Sequence, residues 1–300
     1  MKKISLVSLL FTLLTISVMC AQKNNNSDKD IIAEDAVIEK VETGYRFTEG
    51  ATANSNGVVY FTDQPNDRIY TWEEAKGVTL WLEGTERSNG MYFNSQGRLL
   101  SCADEFNRII AFNEHKEYRV IFENFDGKHL NGPNDLWESP NGGIYFTDPY
   151  YHRHYWEEGH TEVQETRGVY FISPEGDATL VSDKYDQPNG LVGTPDGKLL
   201  YVADIDDRMI WRYDIMEDGS LSNRTLFANE GSDGMAIDNK GNIYLTMGKV
   251  WVYSPEGELI QEISVPESPS NLCFGGKDKD ILFITARTSV YTLKMNVRGL

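Results

Sequence analysis

The sequence predicts an all-β fold: a six-bladed β-propeller with four-stranded blades. Two observations predict it. One paragraph of sequence is written six times, each copy an opening motif with a polar residue, a turn eight residues later, and then apolar runs. The turns fall at Gly57, Gly97, Gly142, Gly197, Gly241 and Lys279, in steps of 40, 45, 55, 44 and 38 residues. Self-similarity near this period, with about four strands per unit, marks a propeller.

The clearest copy is DQPNGLVGTPDGKLLYVADIDDRMIWRY, from Asp186 to Tyr213. A polar opening leads into Leu191-Val192. Pro195-Asp196-Gly197 then signals a turn, and Leu199 to Ala203 and Arg208 to Trp211 follow as strands. Short β-branched and aromatic runs bounded by Gly, Pro, Asn and Asp are hairpin signals.

The six openings are TEGAT at 48–52, SNGMY at 88–92, PNDLW at 133–137, PNGLV at 188–192, SDGMA at 232–236 and SNLCF at 270–274. Second strands follow as VVYFTD, RLLSCAD, IYFTD, LLYVAD, IYLTM and ILFIT. Third strands are RIYTW, RIIAF, GVYFI, RMIWRY, KVWVY and SVYTL. Five blades end on a fourth run: VTLWL, YRVIF, ATLVS, RTLFA and LIQEI. The sixth blade has three runs only. Ala36 to Val41 occupies the slot before the first opening, so it is expected to supply the missing outer strand of blade six. Such closure removes the open edges of an incomplete ring.

The domain plan is a leader at 1–21, a polar linker at 22–34 and a propeller at 35–300. Lys2-Lys3 and the apolar run Leu6 to Val18 read as a secretory signal, too short for an ordinary spanning helix. Cys20 followed by a polar tether suggests a bacterial lipoprotein. Ser17-Val18-Met19 departs from the usual lipobox, and cleavage after Ala21 is the alternative. Either route exports the chain, to the periplasm or the medium. No other apolar run is long enough to span a membrane.

The chain of 300 residues has a formal charge of −18. An acidic surface argues against nucleic acid, whose phosphates need Lys and Arg. Cys102 and Cys273 fall in strands of blades two and six, which blade one separates, so two free thiols are expected. There is no GxSxG elbow, P-loop or CxxC pair, which leaves serine-hydrolase, nucleotide and thiol-redox readings unsupported. A monomer is expected.

Strands alternate within a blade, so first-strand starts and second-strand ends share one face. Glu49, Asn89, Asn134, Asn189, Asp233 and Asn271 therefore point toward the axis there. Asp63, Asp104, Asp148 and Asp204 lie farther out on that face. The one long insertion, Pro149 to Arg167, rises from the same face between strands two and three of blade three. It is rich in Tyr, Trp and His, and reads as a lid or pocket wall. All six opening residues carry side-chain oxygen. Asn and Asp cap loops, but Glu49 does not fit that role. Two carboxylates and several amide oxygens suit a hard cation such as calcium.

The chain resembles the gluconolactonase and senescence-marker-protein (regucalcin) family of six-bladed propellers. The matching pieces are TEGA at 48–51, PNDLWESPNGGIYFTDP at 133–149, QPNGLVGTPDGKLLYVAD at 187–204 and SDGMAIDNKGNIYL at 232–245. The resemblance implies one divalent metal held by Glu49, Asn134, Asn189 and Asp233. Calcium is the first expectation, with zinc, manganese or magnesium as alternatives. It also implies hydrolysis of a small lactone or ester, with Asp233 as general base. Asn89 and Asn271 become channel-lining, substrate-binding residues. Animal members carry an Arg where this chain has Gly132. Substitutes are expected from the insertion, with His152 and His154 as substrate-binding candidates beside Tyr151, Arg153 and Trp156. A phosphotriesterase-like hydrolase and a non-enzymatic sugar- or partner-binding propeller are the competing readings.

Overall fold

Six four-stranded antiparallel sheets carry the chain in sequence order. The computed structural model describes residues 31–156 and 161–300. The leader, Cys20, the tether up to residue 30 and His160 lie outside the described residues. First strands run Thr48–Ala53, Ser88–Phe93, Leu136–Glu138, Pro188–Gly193, Met235–Ile237 and Asn271–Gly275. Each pairs with the next strand of its own blade, out to the fourth. The six-bladed propeller read from the repeats is the observed fold. Among the described residues the helical content is one three-residue 3-10 turn, Gln64–Asn66.

The repeated turn has a backbone cause. Gly57, Gly97, Gly142, Gly197 and Gly241 all have φ between 70° and 88°, and Lys279 sits at 54°. Glycine adopts this left-handed region without steric cost, which is why five of the six copies use it.

Blade six closes as expected, through an N-terminal strand beside Ser289–Lys294. That strand is Glu39–Thr43 rather than Ala36 to Val41. Asp35, at φ 61°, turns the chain just before it and delays the extended run. The polar linker also ends earlier than expected. Ile31 is fully buried and Ile32 bridges to Met295, so these residues dock on blade six. A two-residue hairpin, Asn124–Phe125 with Lys128–His129, was not legible in the repeat.

Aromatic side chains fill the seams between blades. Phe61 and Trp72 of blade one meet Phe283 of blade six at 5.4 and 5.3 Å between ring centroids. Trp137 of blade three packs against Gly193 of blade four, where any Cβ would stand 2.3 Å from the indole. Burying such a ring contributes about 2–3 kcal/mol. Cys102 is buried and Cys273 partly buried, both as free thiols.

Candidate active site

The opening residues are brought together by a ring of contacts between neighbouring blades. Gly90 N–H donates to Asn134 O at 2.8 Å, and Gly234 N–H to Ser270 O at 2.7 Å. Thr147 Oγ1 donates to Asn189 O at 2.7 Å, and Ser270 Oγ to Thr48 O at 2.6 Å. The glycine after the key residue follows from this crowding. A Cβ at Gly50 would lie 2.0 Å from Asn89 O, at Gly90 2.4 Å from Asn134 O, and at Gly190 2.3 Å from Asp233 O.

A bulge aims the side chains. In blades one, two and four the pairing of strands one and two skips a residue between Glu49 and Thr52, Ser88 and Met91, and Pro188 and Leu191. One extra residue at that point rotates the opening side chain relative to the sheet. Glu49, Asn89, Asn134, Asn189 and Asn271 are all buried, and Asp233 is partly buried.

Glu49 Oε2 accepts from Gly50 N–H at 2.7 Å and from Asn271 Nδ2 at 3.0 Å. Asn271 thus orients Glu49. Burial, and then the charge of Asp233, push the Glu49 carboxyl well above the usual range. Burial also raises Asp233, while hydrogen bonding with Asn189 and the charges of Arg153 and Arg287 work against that rise. Glu49, Asn189 and Asp233 are therefore near neighbours. Two carboxyls in one buried site cannot both ionise cheaply without a cation.

Asn189 carries a further signal. Its Nδ2 donates to the Tyr151 hydroxyl at 2.8 Å, yet its buried Oδ1 has no partner. A buried amide oxygen without a donor costs about 1–3 kcal/mol, which a bound cation would relieve. Among the described residues no three His, Cys, Asp or Glu side chains group as a metal site. Any cation here would lean on amide oxygen, and the donor set of two carboxylates and two amides is the hard-oxygen type calcium takes.

Asp135 was missed by the sequence reading. It stands where four of the other openings have glycine, which was the available signal. It is buried, and burial lifts its carboxyl to about 7. The charge of Asp233 reaches it. Below it a cavity of about 840 Å³ runs to the face opposite the lid, lined by Met91, Trp137, Leu191, Met235 and Leu272.

The insertion covers the other face. Tyr151 reaches Asn189, and Arg153 Nε pairs with Asp104 Oδ2 at 2.9 Å. Tyr155 donates to the same carboxylate, and Trp156 Nε1 donates to Asp104 O at 2.8 Å. A Cβ at position 132 would lie 3.3 Å from the Trp156 ring, so Gly132 makes room for the lid. His152 and His154 are exposed on this loop. The side chains that reach inward from it are Tyr151 and Arg153.

The other second-strand aspartates hold backbone. Asp63 accepts from Arg46 and Phe47 N–H at 3.1 Å each, Asp148 from Asn131 and Gly132, and Asp204 from Asp186 and Gln187. In blade two that duty passes to Asp67, whose Oδ1 takes Arg87 N–H at 2.7 Å, and Asp104 anchors the lid.

Known proteins resemble this chain in architecture and in sequence. The family model described as SMP-30/Gluconolactonase/LRE-like region matches residues 47–288. A gluconolactonase of Zymomonas mobilis is 31% identical over 294 residues, covering 87% of this chain and 82% of its own. A pentonolactonase of Haloferax volcanii is 24% identical over 267 residues, covering 83% and 84%. The solved structure of a gluconolactonase from Xanthomonas campestris has a TM-score of 0.82 at 26% identity, over 88% of this chain and 91% of that one.

Proposed function

The chain belongs to the SMP-30/gluconolactonase/LRE-like family, and we propose that it is a divalent-cation-dependent hydrolase of sugar lactones. Lactone hydrolysis follows from its gluconolactonase relatives. The cation and the sugar-lactone substrate are our reading. The observation that carries the cation is the partnerless Asn189 Oδ1 beside two carboxyls raised by burial. Glu49, Asn134, Asn189 and Asp233 would hold it, calcium being the best match to their chemistry.

A bound divalent cation supplies Lewis acidity, polarising a lactone carbonyl and favouring negative charge on its oxygen. The protein's residues do the rest. Asp233 takes a proton from water as the water oxygen bonds to the carbonyl carbon. Its burial makes it a stronger base than an exposed carboxylate. The ring C–O bond then breaks, and the departing oxygen recovers the proton from Asp233. Asn271 keeps Glu49 in place, and the insertion limits water around the reacting groups.

Turnover of gluconolactone, followed as acid release, tests this. Chelation should abolish it and calcium should restore it. Asp233→Asn at saturating calcium should be about 100-fold slower or worse. Asn189→Ala should mainly weaken calcium dependence, with partial rescue at high calcium. Equal rescue of both variants would leave Asp233 as a holder only. Turnover indifferent to chelation would remove the cation.

For its place in the cell we propose export on the leader at 1–21, with Cys20 as the site of any lipid anchor. A globomycin-sensitive, membrane-associated form would establish the anchor; a free soluble form would exclude it.

A further inference from the structure

On the lid face of blade six, one turn carries a residue that its geometry does not favour. Ala286 pairs with Ser289, so strands two and three are joined by Arg287 and Thr288 alone. Arg287 has φ 50°. A positive φ at the first central position of such a turn suits glycine or asparagine, because a larger side chain there crowds the backbone. The chain places an arginine there and bears the steric cost, which points to a use for the side chain.

The backbone fixes where that side chain starts. Arg287 O accepts from Thr48 N–H at 2.8 Å and from Thr48 Oγ1 at 3.2 Å, which seats the turn beside Glu49. The side chain is exposed, and its guanidinium carbon lies 5.6 Å from the centroid of the Phe47 ring. Among the described residues no hydrogen bond or ion pair reaches that guanidinium. Arg68, Arg108, Arg167 and Arg208, by contrast, are each paired with a glutamate. The charge of Arg287 nevertheless reaches Asp233, as does that of Arg153. A substrate at Asp233 therefore meets guanidiniums from two blades, one tied to Asp104 and one free.

We propose that Arg287 is a specificity-determining residue: its free guanidinium grips an oxyanion that the lactone substrate carries away from the reacting carbonyl. The inference rests on the lactone-hydrolase reading above and narrows its substrate class. A guanidinium binds carboxylate, phosphate or sulfonate through paired, charge-assisted hydrogen bonds, stronger than those to a neutral hydroxyl. The formal charge of −18 opposes an anionic substrate, so a local guanidinium decides whether one can settle at the mouth.

The test compares kcat/KM for gluconolactone, for its phosphate ester at the terminal carbon and for a glucaric acid lactone, which carries a carboxylate there. The proteins are wild type, Arg287→Gln, Arg287→Lys and Arg287→Gly, all at saturating calcium. Wild type should favour at least one anionic lactone, and the one it favours tells carboxylate from phosphate. Arg287→Gln should lower that preference about ten-fold, mainly through KM, as expected for one charge-assisted hydrogen bond. Arg287→Lys should keep part of it. Any effect of Arg287 on Asp233 acts on all three lactones and cancels in the ratio. Arg287→Gly relieves the turn, so it should resist heat at least as well as wild type while losing the preference, which separates the contact from folding. A wild type without the preference, or a preference that survives in Arg287→Gln and Arg287→Gly, would overturn this proposal and leave the lactonase reading standing. Failure to turn over any lactone would overturn that reading as well.

Discussion

Glu267→Ala should loosen the closure of the ring, and the structure sets the size of the effect. Glu267 precedes blade six and grips its third strand. Its carboxylate accepts from Tyr291 Oη at 2.8 Å, from Thr288 N–H at 3.0 Å and from Thr288 Oγ1 at 2.9 Å. Ser289 Oγ donates to it as well, and Lys40 of the N-terminal strand pairs with it at 3.4 Å. Removal has unequal consequences. Thr288 is exposed and rehydrates. Ser289 retains Thr43 Oγ1 at 2.9 Å. Tyr291 is fully buried and its hydroxyl loses the acceptor of its proton, at about 1–3 kcal/mol. The solvent-screened Lys40 pair adds little. The total is about 1–3 kcal/mol, or roughly 2–6 °C in Tm for a domain of this size.

The same clamp has a pH signature. Burial opposes the charge on Glu267, but the hydrogen bonds from Ser289, Tyr291 and Thr288 outweigh it and hold the carboxyl down at about 2. The unfolded value is 4.5. Since the folded carboxyl titrates lower, its contribution is complete above about pH 4.5 and is lost as pH falls toward 2. Thermal unfolding of wild type and Glu267→Ala should therefore differ most at pH 7, and the gap should narrow as pH falls to 3. A constant gap across that range would refute the linkage. No gap at pH 7 would refute the clamp.

Three further outcomes are expected. Gly190→Ala puts a Cβ 2.3 Å from Asp233 O and 3.1 Å from Gly234 Cα, where only backbone could yield; it should cost about 1–3 kcal/mol in denaturant unfolding and depress lactone turnover. Gly132→Val should push Trp156 off its seat, and limited proteolysis between residues 150 and 167 should speed up while the blades stay intact. Burial raises the thiols of Cys102 and Cys273, so neither should react with a disulfide reagent until denaturant unfolds the chain.

The fold was legible because the repeat acts at every level at once. Each turn needs a left-handed residue, each opening sets an oxygen-bearing side chain at one register position, and each second strand is buried along almost its whole length. These demands recur six times, so one ambiguous copy is corrected by five others. Blade closure was legible for the same reason, since three runs at the end and one at the start complete a count. The boundary at Ala36 was not, because Asp35 turns the backbone in a segment that belongs to no repeat. Ile31 and Ile32 were hidden likewise: their burial depends on Met295, far along the chain, which no local pattern reports.

The site divides along the same line. The oxygen-bearing opening residues could be read because they occupy one register position in every blade. Asp135 stood in plain view as the departure from glycine at the next position, and was passed over because the match around it, PNDLW, looked complete. The lid could be located by its length but not read residue by residue. An insertion has no sister copies, so nothing in the sequence says that Tyr151 and Arg153 turn inward while His152 and His154 face out. Alternation is the physical reason: successive side chains of an extended stretch point to opposite sides. Once Arg153 is committed to Asp104, Tyr151 faces the channel and His152 and His154 face solvent, while Trp156, past the turn at residues 154–155, comes back onto Gly132. The anchor at Asp104 therefore decides which chemistry the lid presents to the site, and that anchor exists because Asp67 took over the backbone duty that its three counterparts perform.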